Sequence, residues 1–283
     1  MSEHGTDSQS DYQSFSVVLP TYRGDTASEL ALAIDSISRQ TVPPDELFIV
    51  KDGPLDASLN NIIENKISDS PIYIQAHQIE ENQGLGNALR VGVEKCSFDI
   101  VARMDADDIS VSSRFERQLE FLGNNPEVDI VGGFIEEFDS NPDEPIATRK
   151  VPTNHQKIKK TARFRSPMNH GTVIFDKEAA LNAGNYRPVD RMEDYDLWVR
   201  MLLCGATFAN IPEVLVKVRA GKKMYRRRGG WEYAREEVRT QCEFYNRGFI
   251  SLPIFMFNIF TRTSLRILPN RIRGMIYRVL ARE

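Results

Sequence analysis

The sequence predicts an α/β protein built on a mostly parallel, twisted sheet flanked by helices, with a helical region appended at its C-terminal end. Three observations carry that prediction. From Phe15 onward, short β-branched runs alternate with amphipathic stretches, the pattern of a parallel sheet covered by helices. Each run stops where polar residues cluster. A chain of 283 residues with 41% apolar residues can bury a sizeable core, as one large domain or as a domain with an appendage.

The elements follow in order. FSVVLP (15–20) is the first buried strand, and the helix after it turns Leu30, Ile34 and Ile37 to one face behind a capping box of Thr26 and Glu29. ELFIVK (46–51) is the second strand, followed by a helix carrying Leu59, Ile62, Ile63 and Ile67. The strand IYIQA (72–76), a helix over 85–95 and the strand IVARMD (100–105) complete the repeat. Thr21, Asp52 and Asp105 therefore stand at strand ends. In an open α/β sheet the ligand crevice lies beyond the carboxyl ends of the strands, so these residues converge on one site. A second capping box, Ser113 with Glu116, opens a helix whose Phe115, Leu119 and Leu122 face the core, and DIVGGFIEEF (129–138) is a further strand. The polar, proline-bearing stretch 139–153 reads as a loop into a second half with strands TVIF (172–175) and EVLVKV (213–218), and a helix starting near Asp194 lies between them. The chain thus divides into a disordered lead-in (1–14), a domain of two halves (15–138 and 139–220) and a basic helical region (221–283).

Composition excludes several classes. A net charge of −4 argues against a general nucleic-acid binder, which needs a basic excess to neutralise phosphates. The three cysteines Cys96, Cys204 and Cys242 are far apart and odd in number, so they suggest neither a disulfide framework nor a zinc set, and a reducing cytoplasm fits. The polar lead-in is not a signal peptide. The most apolar stretch, 249–260, is too short to span a bilayer as a helix and is soon followed by Arg262. Between 252 and 283 all basic charge is arginine set among Ile, Phe, Leu and Tyr, with Pro253 and Pro269 breaking the helices. This pattern suits an interfacial helix on anionic lipid, or an arm packed on the domain or on a partner.

Two acidic motifs carry chemistry. In MDADD (104–108) three carboxylates crowd the end of an apolar strand, where their repulsion calls for a cation, and Mg²⁺ or Mn²⁺ takes one or two carboxylates and completes its shell with water and phosphate oxygens. The plainer reading is an acidic turn capping the next helix, which Asp108 alone could do. In MEDYDLW (192–198) Glu193 and Asp194 stand at a helix start, where they either cap the helix or place a general base beside an acceptor hydroxyl. His170, just before a strand, either approaches a metal or diphosphate or is a hydrogen-bonded loop residue. Gly84 and Gly86 do not make a dinucleotide fingerprint, because Leu89 occupies the third glycine position and no strand precedes the segment. Trp198, Leu197 and Met201 have the spacing of core residues.

FSVVLPTYRGD, DGP (52–54), NQGLGNALRVG (82–92), IVARMDADDIS, RFERQLEFL and MEDYDLWVRM stand in the order and approximate spacing of the family-2 glycosyltransferases, which this chain resembles over about 15–218. More narrowly it is similar to exopolysaccharide and lipopolysaccharide transferases related to the amylovoran biosynthesis enzymes. The resemblance implies a GT-A fold and an inverting, metal-dependent transfer of a sugar from a nucleotide diphosphate donor, UDP or dTDP sugar favoured. The implied acceptor is a saccharide; the expected location is the cytoplasm, and if the tail contacts membrane the protein is peripheral at its inner face and the acceptor lipid-linked. It further implies that Pro20, Thr21 and Tyr22 line the nucleoside pocket, that Asp52 binds the base, and that Gly84 and Arg90 belong to the nucleotide side. Asp105 is implied near the ribose and metal, Asp107 as the principal metal ligand, Asp108 close by, and Asp194 as the catalytic base beside Glu193.

Two positions depart from the family pattern. Lys51 replaces a common acid, which leaves Asp52 to bind the base alone or with backbone help. Leu89 and Arg90 replace the usual arginine and asparagine, so Arg90 is either a diphosphate contact or an exposed helix residue. The rival readings are a catalytically silent nucleotide-sugar-binding scaffold, against which the intact Asp105, Asp107 and Asp194 argue, and a sugar-phosphate nucleotidylyltransferase, against which PTYRGD after the first strand argues. A processive synthase is disfavoured because no QxxRW-like segment follows Trp198.

Overall fold

The computed structural model describes residues 12–189, 191–220 and 231–267. Most of the lead-in, the basic segment 221–230 and the arginines beyond 267 lie outside them. Four strands build the first half of the sheet: β1 (Phe15–Tyr22), β2 (Glu46–Asp52), β3 (Ile74–Gln78) and β4 (Ile100–Arg103). They pair in parallel, with Val17 beside Leu47 and Ala102, because the crossovers are the helices α1 (Ala27–Ser38), α2 (Ala57–Asp69) and α3 (Leu85–Lys95).

The second half comprises β5 (Ile109–Ser110), α4 (Arg114–Asn124), β6 (Ile130–Phe138), β7 (Ala147–Arg149), α5 (His155–Ala162), β8 (Ile174–Asp176), α6 (Lys177–Asn182), α7 (Glu193–Leu203) and β9 (Phe208–Arg219). The sheet runs β3-β2-β1-β4-β8-β6-β9-β5, with β7 on the side of β6. β1, β2, β3, β4, β6 and β9 share one direction; β5, β7 and β8 oppose it. The mostly parallel sheet is therefore as expected, and its reversals are the short strands β5, β7 and β8, all after β4.

Every residue of β1 except Tyr22 is buried, since both faces of the sheet are covered. Val18, Val50, Val101 and Phe175 join Leu89, Trp198 and Phe208 in a core beneath α3 and α7. Val17, Leu19, Ile49 and Ile174 join Leu30, Ile34, Ile63 and Phe115 in a second core beneath α1, α2 and α4. Alternation along the strands sends neighbouring side chains to opposite layers. The C-terminal helices α8 (Trp231–Asn246) and α9 (Leu252–Ile267) are not a detached arm, because Tyr233, Phe244, Phe249 and Ile250 belong to the same core as Trp198. Tyr195 of α7 meets Phe244 edge-on at 4.8 Å.

Several expectations need correction. Neither capping box forms: Thr26 and Ser113 occupy the N-cap positions without a side-chain cap bond. Their acidic partners are drawn off by tertiary contacts, Glu29 to Arg219 at 3.0 Å and Glu116 to the Thr41 hydroxyl at 3.0 Å. β3 begins two residues later than 72, Ile67 is exposed, and the strand expected over 172–175 begins at Ile174, Thr172 closing a 3₁₀ turn instead. The loop 139–153 contains β7, and the strand expected over 213–218 begins at Phe208 with a register shift near Gly133 and Phe134 of β6. Periodicity is too short in these pieces to separate strand from loop.

Candidate active site

The carboxyl ends of β1 and β4 open onto a cavity of about 990 Å³. Its floor is made where β4 ends. Arg103, the last residue of β4, is buried and forks onto both carboxylate oxygens of Asp105 two residues on. The strand end is held by Arg114 and Gln118 from the first turns of α4. Arg114 Nη2 donates to the carbonyl of Arg103 at 2.8 Å, and Gln118 Nε2 donates to the carbonyls of Thr172 and Val131 at 2.8 and 3.0 Å. Two buried polar side chains thus stitch the acidic turn to the turn that carries His170. Burial, then the charge of Arg103, lowers the Arg114 guanidinium to about 9.

Asp105, Asp107 and Asp108 all face the cavity, with different commitments. Asp105 is tied to Arg103. Asp108 is buried and accepts the backbone N–H of Arg219 at 3.0 Å, so it holds the end of β9 rather than capping α4. Asp107 contacts neither. Burial, then the charges of Asp105 and Asp25, pushes the Asp107 carboxyl up to about 6, and burial with Asp105 and Asp107 raises Asp108 as well.

The start of α7 lines the same cavity. Asp194 accepts the Ser166 hydroxyl at 3.1 Å and lines the cavity together with Glu193, Arg149, Met168 and Asn169. Burial, then the neighbouring Asp194, pushes Glu193 up to about 8. Burial also raises Asp194, but the backbone N–H of Tyr195 and the Ser166 hydroxyl favour its anion. His170 lines the cavity between the two groups; its Nε2 is 2.9 Å from the Tyr186 hydroxyl, and burial with the nearby Arg103 keeps the imidazole neutral.

The other positions singled out in the sequence are placed differently. Tyr22 lines the cavity, whereas Pro20, Thr21, Asp52, Gly84 and Arg90 do not. Thr21 donates its hydroxyl to Asp25 at 2.9 Å. Asp52 accepts Asn82 Nδ2 and the backbone N–H groups of Gln83 and Gly84 at 2.8 to 2.9 Å, so its carboxylate shapes the loop leading into α3. Arg90 lies on α3 against Asn87 and Glu94, at 2.8 and 3.2 Å. Sequence reading missed Arg103, Arg149, Ser166 and Arg219, which come from four different elements or loops and have no local pattern. Arg103 alone left a trace, as a charge inside an otherwise apolar strand.

The cavity wall carries eight carboxylates (Asp25, Glu29, Asp105, Asp107, Asp108, Asp139, Glu193 and Asp194) against three guanidinium groups (Arg103, Arg149 and Arg219). Such an excess in a concave site attracts cations and cation-bound phosphates. The mostly parallel α/β sheet thus carries an acidic turn at a strand end and a pair of acids at the start of α7 on one cavity. The chain belongs to glycosyl transferase family 2, whose model matches residues 16–184. It is an enzyme of glycosyl transfer.

It is 39% identical over 273 residues to a UDP-Gal:alpha-D-GlcNAc-diphosphoundecaprenol beta-1,3-galactosyltransferase of Escherichia coli, covering 96% of this chain and 98% of the relative. It is 36% identical to the amylovoran biosynthesis glycosyltransferase AmsE of Erwinia amylovora over 93% and 97% of the two chains. Among solved structures it resembles Staphylococcus aureus TarS bound to UDP-GlcNAc, at TM-score 0.66 and 16% identity over 93% of this chain and 75% of that one. It also resembles the Pyrobaculum calidifontis mannosyltransferase PcManGT bound to GDP-Man and Mn²⁺, at TM-score 0.65 and 16% identity over 96% and 77%. These two likenesses establish the GT-A fold.

Proposed function

We propose that the chain is an inverting, divalent-metal-dependent transferase that moves a hexose from a UDP-sugar to a saccharide carried on a lipid diphosphate, in the assembly of a cell-surface glycan at the cytoplasmic face of the membrane. The observation that carries the reading is that the Asp105–Asp107–Asp108 turn and the Glu193–Asp194 pair line one and the same cavity. UDP and the lipid-diphosphate acceptor are carried over from the galactosyltransferase relative, whose similarity extends over nearly the whole of both chains.

The residues fit a hard divalent cation. Donors are carboxylate oxygens only, and Asp107 and Asp108 are raised first by burial and then by the neighbouring carboxylates, a repulsion that a cation would relieve. Among the described residues no group of three or more His, Cys, Asp or Glu is placed to hold a metal ion by itself; a cation here would take one or two carboxylates and rely on donor phosphates and water for the rest of its shell. Asp107 would be the principal ligand, with Asp105 and Asp108 beside it. The cation would supply charge neutralisation for the departing diphosphate.

The chain's own residues do the rest. Asp194 takes the acceptor hydroxyl proton as the new C–O bond forms and the bond from the anomeric carbon to the phosphate oxygen breaks. Ser166 occupies Asp194 Oδ2, which leaves Oδ1 for the acceptor. Glu193, holding its proton, keeps a second negative charge away from the attacking oxygen. Tyr22 stands on the donor side, and Asp52 holds the loop 82–84 that leads into α3. His170 is assigned to the diphosphate as a neutral imidazole.

Calorimetry of UDP, dTDP, GDP and ADP, with Mn²⁺ and then with chelator, tests the donor side. Metal-dependent binding of UDP, lost in Asp107→Ala and kept in Asp194→Asn, is the expected result. Asp194→Asn should also lower turnover by roughly 10²-fold or more, as removal of a general base does. Full turnover in that variant would overturn the base assignment.

A further inference from the structure

α9 is two-faced. One side is docked: Asn258 is buried and its Nδ2 donates to the carbonyl of Arg163 and to Gln241 Oε1, each at 2.8 Å. Ile254 and Phe255 pack against the core, and Arg262 bonds Glu237 and the carbonyl of Phe164 while lying 5.5 Å over the Tyr195 ring. The other side carries Leu252, Met256, Phe257 and Phe260, which are 53%, 58%, 56% and 75% exposed. Their spacing sets them in a single stripe along the helix. Phe164, on the turn after α5, meets Phe257 edge-on at 6.2 Å and extends the stripe onto the catalytic domain. Large apolar side chains grouped this way in water mark a contact surface.

The charges around the stripe identify the occupant. Lys159, Lys160, Arg163 and Arg165 are exposed on α5 and the turn after it, and none forms an ion pair with a described residue. An apolar stripe bordered by basic side chains matches the interfacial layer of an anionic bilayer, where apolar side chains enter the acyl boundary and cations meet lipid phosphates. No helix among the described residues is long and apolar enough to cross a membrane, so such contact would be peripheral.

The stripe is also coupled to the site by the chain itself. Phe164 lies two residues before Ser166, at most about 7 Å along the backbone, and Ser166 holds Asp194. We propose that Leu252, Met256, Phe257, Phe260 and Phe164, with Arg163 and Arg165, form a docking face for an anionic lipid bilayer that turns the Asp194 end of the cavity toward the membrane. The orienting role rests on the reading of Asp194 as the base toward a lipid-linked acceptor; the docking itself does not.

The test is co-sedimentation of the full chain with vesicles of phosphatidylcholine alone and of phosphatidylcholine mixed with an equal part of phosphatidylglycerol. Wild type should sediment with the anionic vesicles and little with the neutral ones. Phe257→Ser/Phe260→Ser and Arg163→Glu/Arg165→Glu should each weaken that binding by roughly tenfold or more, the scale for withdrawing two inserted aromatics or reversing two interfacial charges. Both pairs are exposed, and unchanged UDP calorimetry would confirm that the variants fold. With acceptor in vesicles both variants should lose turnover, while turnover on a short water-soluble acceptor stays the same. Vesicle binding that is absent in wild type, or unaltered in both variants, overturns the proposal. A wild-type dimer that Phe257→Ser/Phe260→Ser dissociates, without vesicle binding, assigns the face to a second copy and also overturns it. Inactivity of wild type on every acceptor, with vesicle binding intact, would instead count against the proposed function.

Discussion

Glu193 shows how one buried residue reports the state of the site. Its carboxyl is pushed up to about 8 by burial and by Asp194, so folding favours its protonated form. The stability this confers is complete below the ordinary glutamate range and is lost as pH rises through about 8. Glu193→Gln keeps the shape without the charge. In chelator-containing buffer the variant should match wild type near pH 5 and exceed it above pH 8, by an amount on the order of 1 kcal/mol or a Tm gain of roughly 2–4 °C. Equal thermal scans at both pH values would show that Glu193 is not held protonated. Arg103 works at the same scale: buried and paired with Asp105, it supplies a fixed positive charge beside the acidic turn.

At the scale of elements, the site depends on α3 and α7 approaching closely. Gly86 in the first turn of α3 is what permits it: a Cβ built there would lie 2.2 Å from the carbonyl oxygen of Arg187 and 3.3 Å from Glu193 Cβ. Gly86→Ala must therefore push the 185–187 loop and the start of α7 away, and α7 carries both acids. The expected cost is about 1–3 kcal/mol of stability, together with a larger fractional loss of turnover than of UDP affinity. Thermal unfolding and calorimetry check the two parts. Intact turnover at reduced stability would mean that the α3–α7 spacing does not set the acids.

The whole molecule unites parts that composition separates. The basic C-terminal region reads as an appendage, yet Phe244 is buried between Tyr195 of the catalytic half and Phe249 of the tail. Domain and tail should thus unfold in a single transition. Phe244→Ala should destabilise that transition by about 3–5 kcal/mol, lowering one Tm rather than detaching the tail. Two resolved transitions by calorimetry would show that the tail folds independently.

By itself the sequence determined the alternating layers, the strand ends, the parallel first half and the acid motifs at 104–108 and 193–194, because these are local: period, polarity and clustered carboxylates lie in consecutive residues. Family membership was legible for the same reason, six short motifs standing in register. Only the tertiary structure decided which side chains answer those motifs. Ser166 on Asp194, Arg219 across to Glu29 and Asp108, and the failure of both capping boxes depend on contacts between elements far apart in the chain. A capping box competes with every other partner its acid can reach. At Glu29 and Glu116 a tertiary partner won, and no local pattern records that outcome.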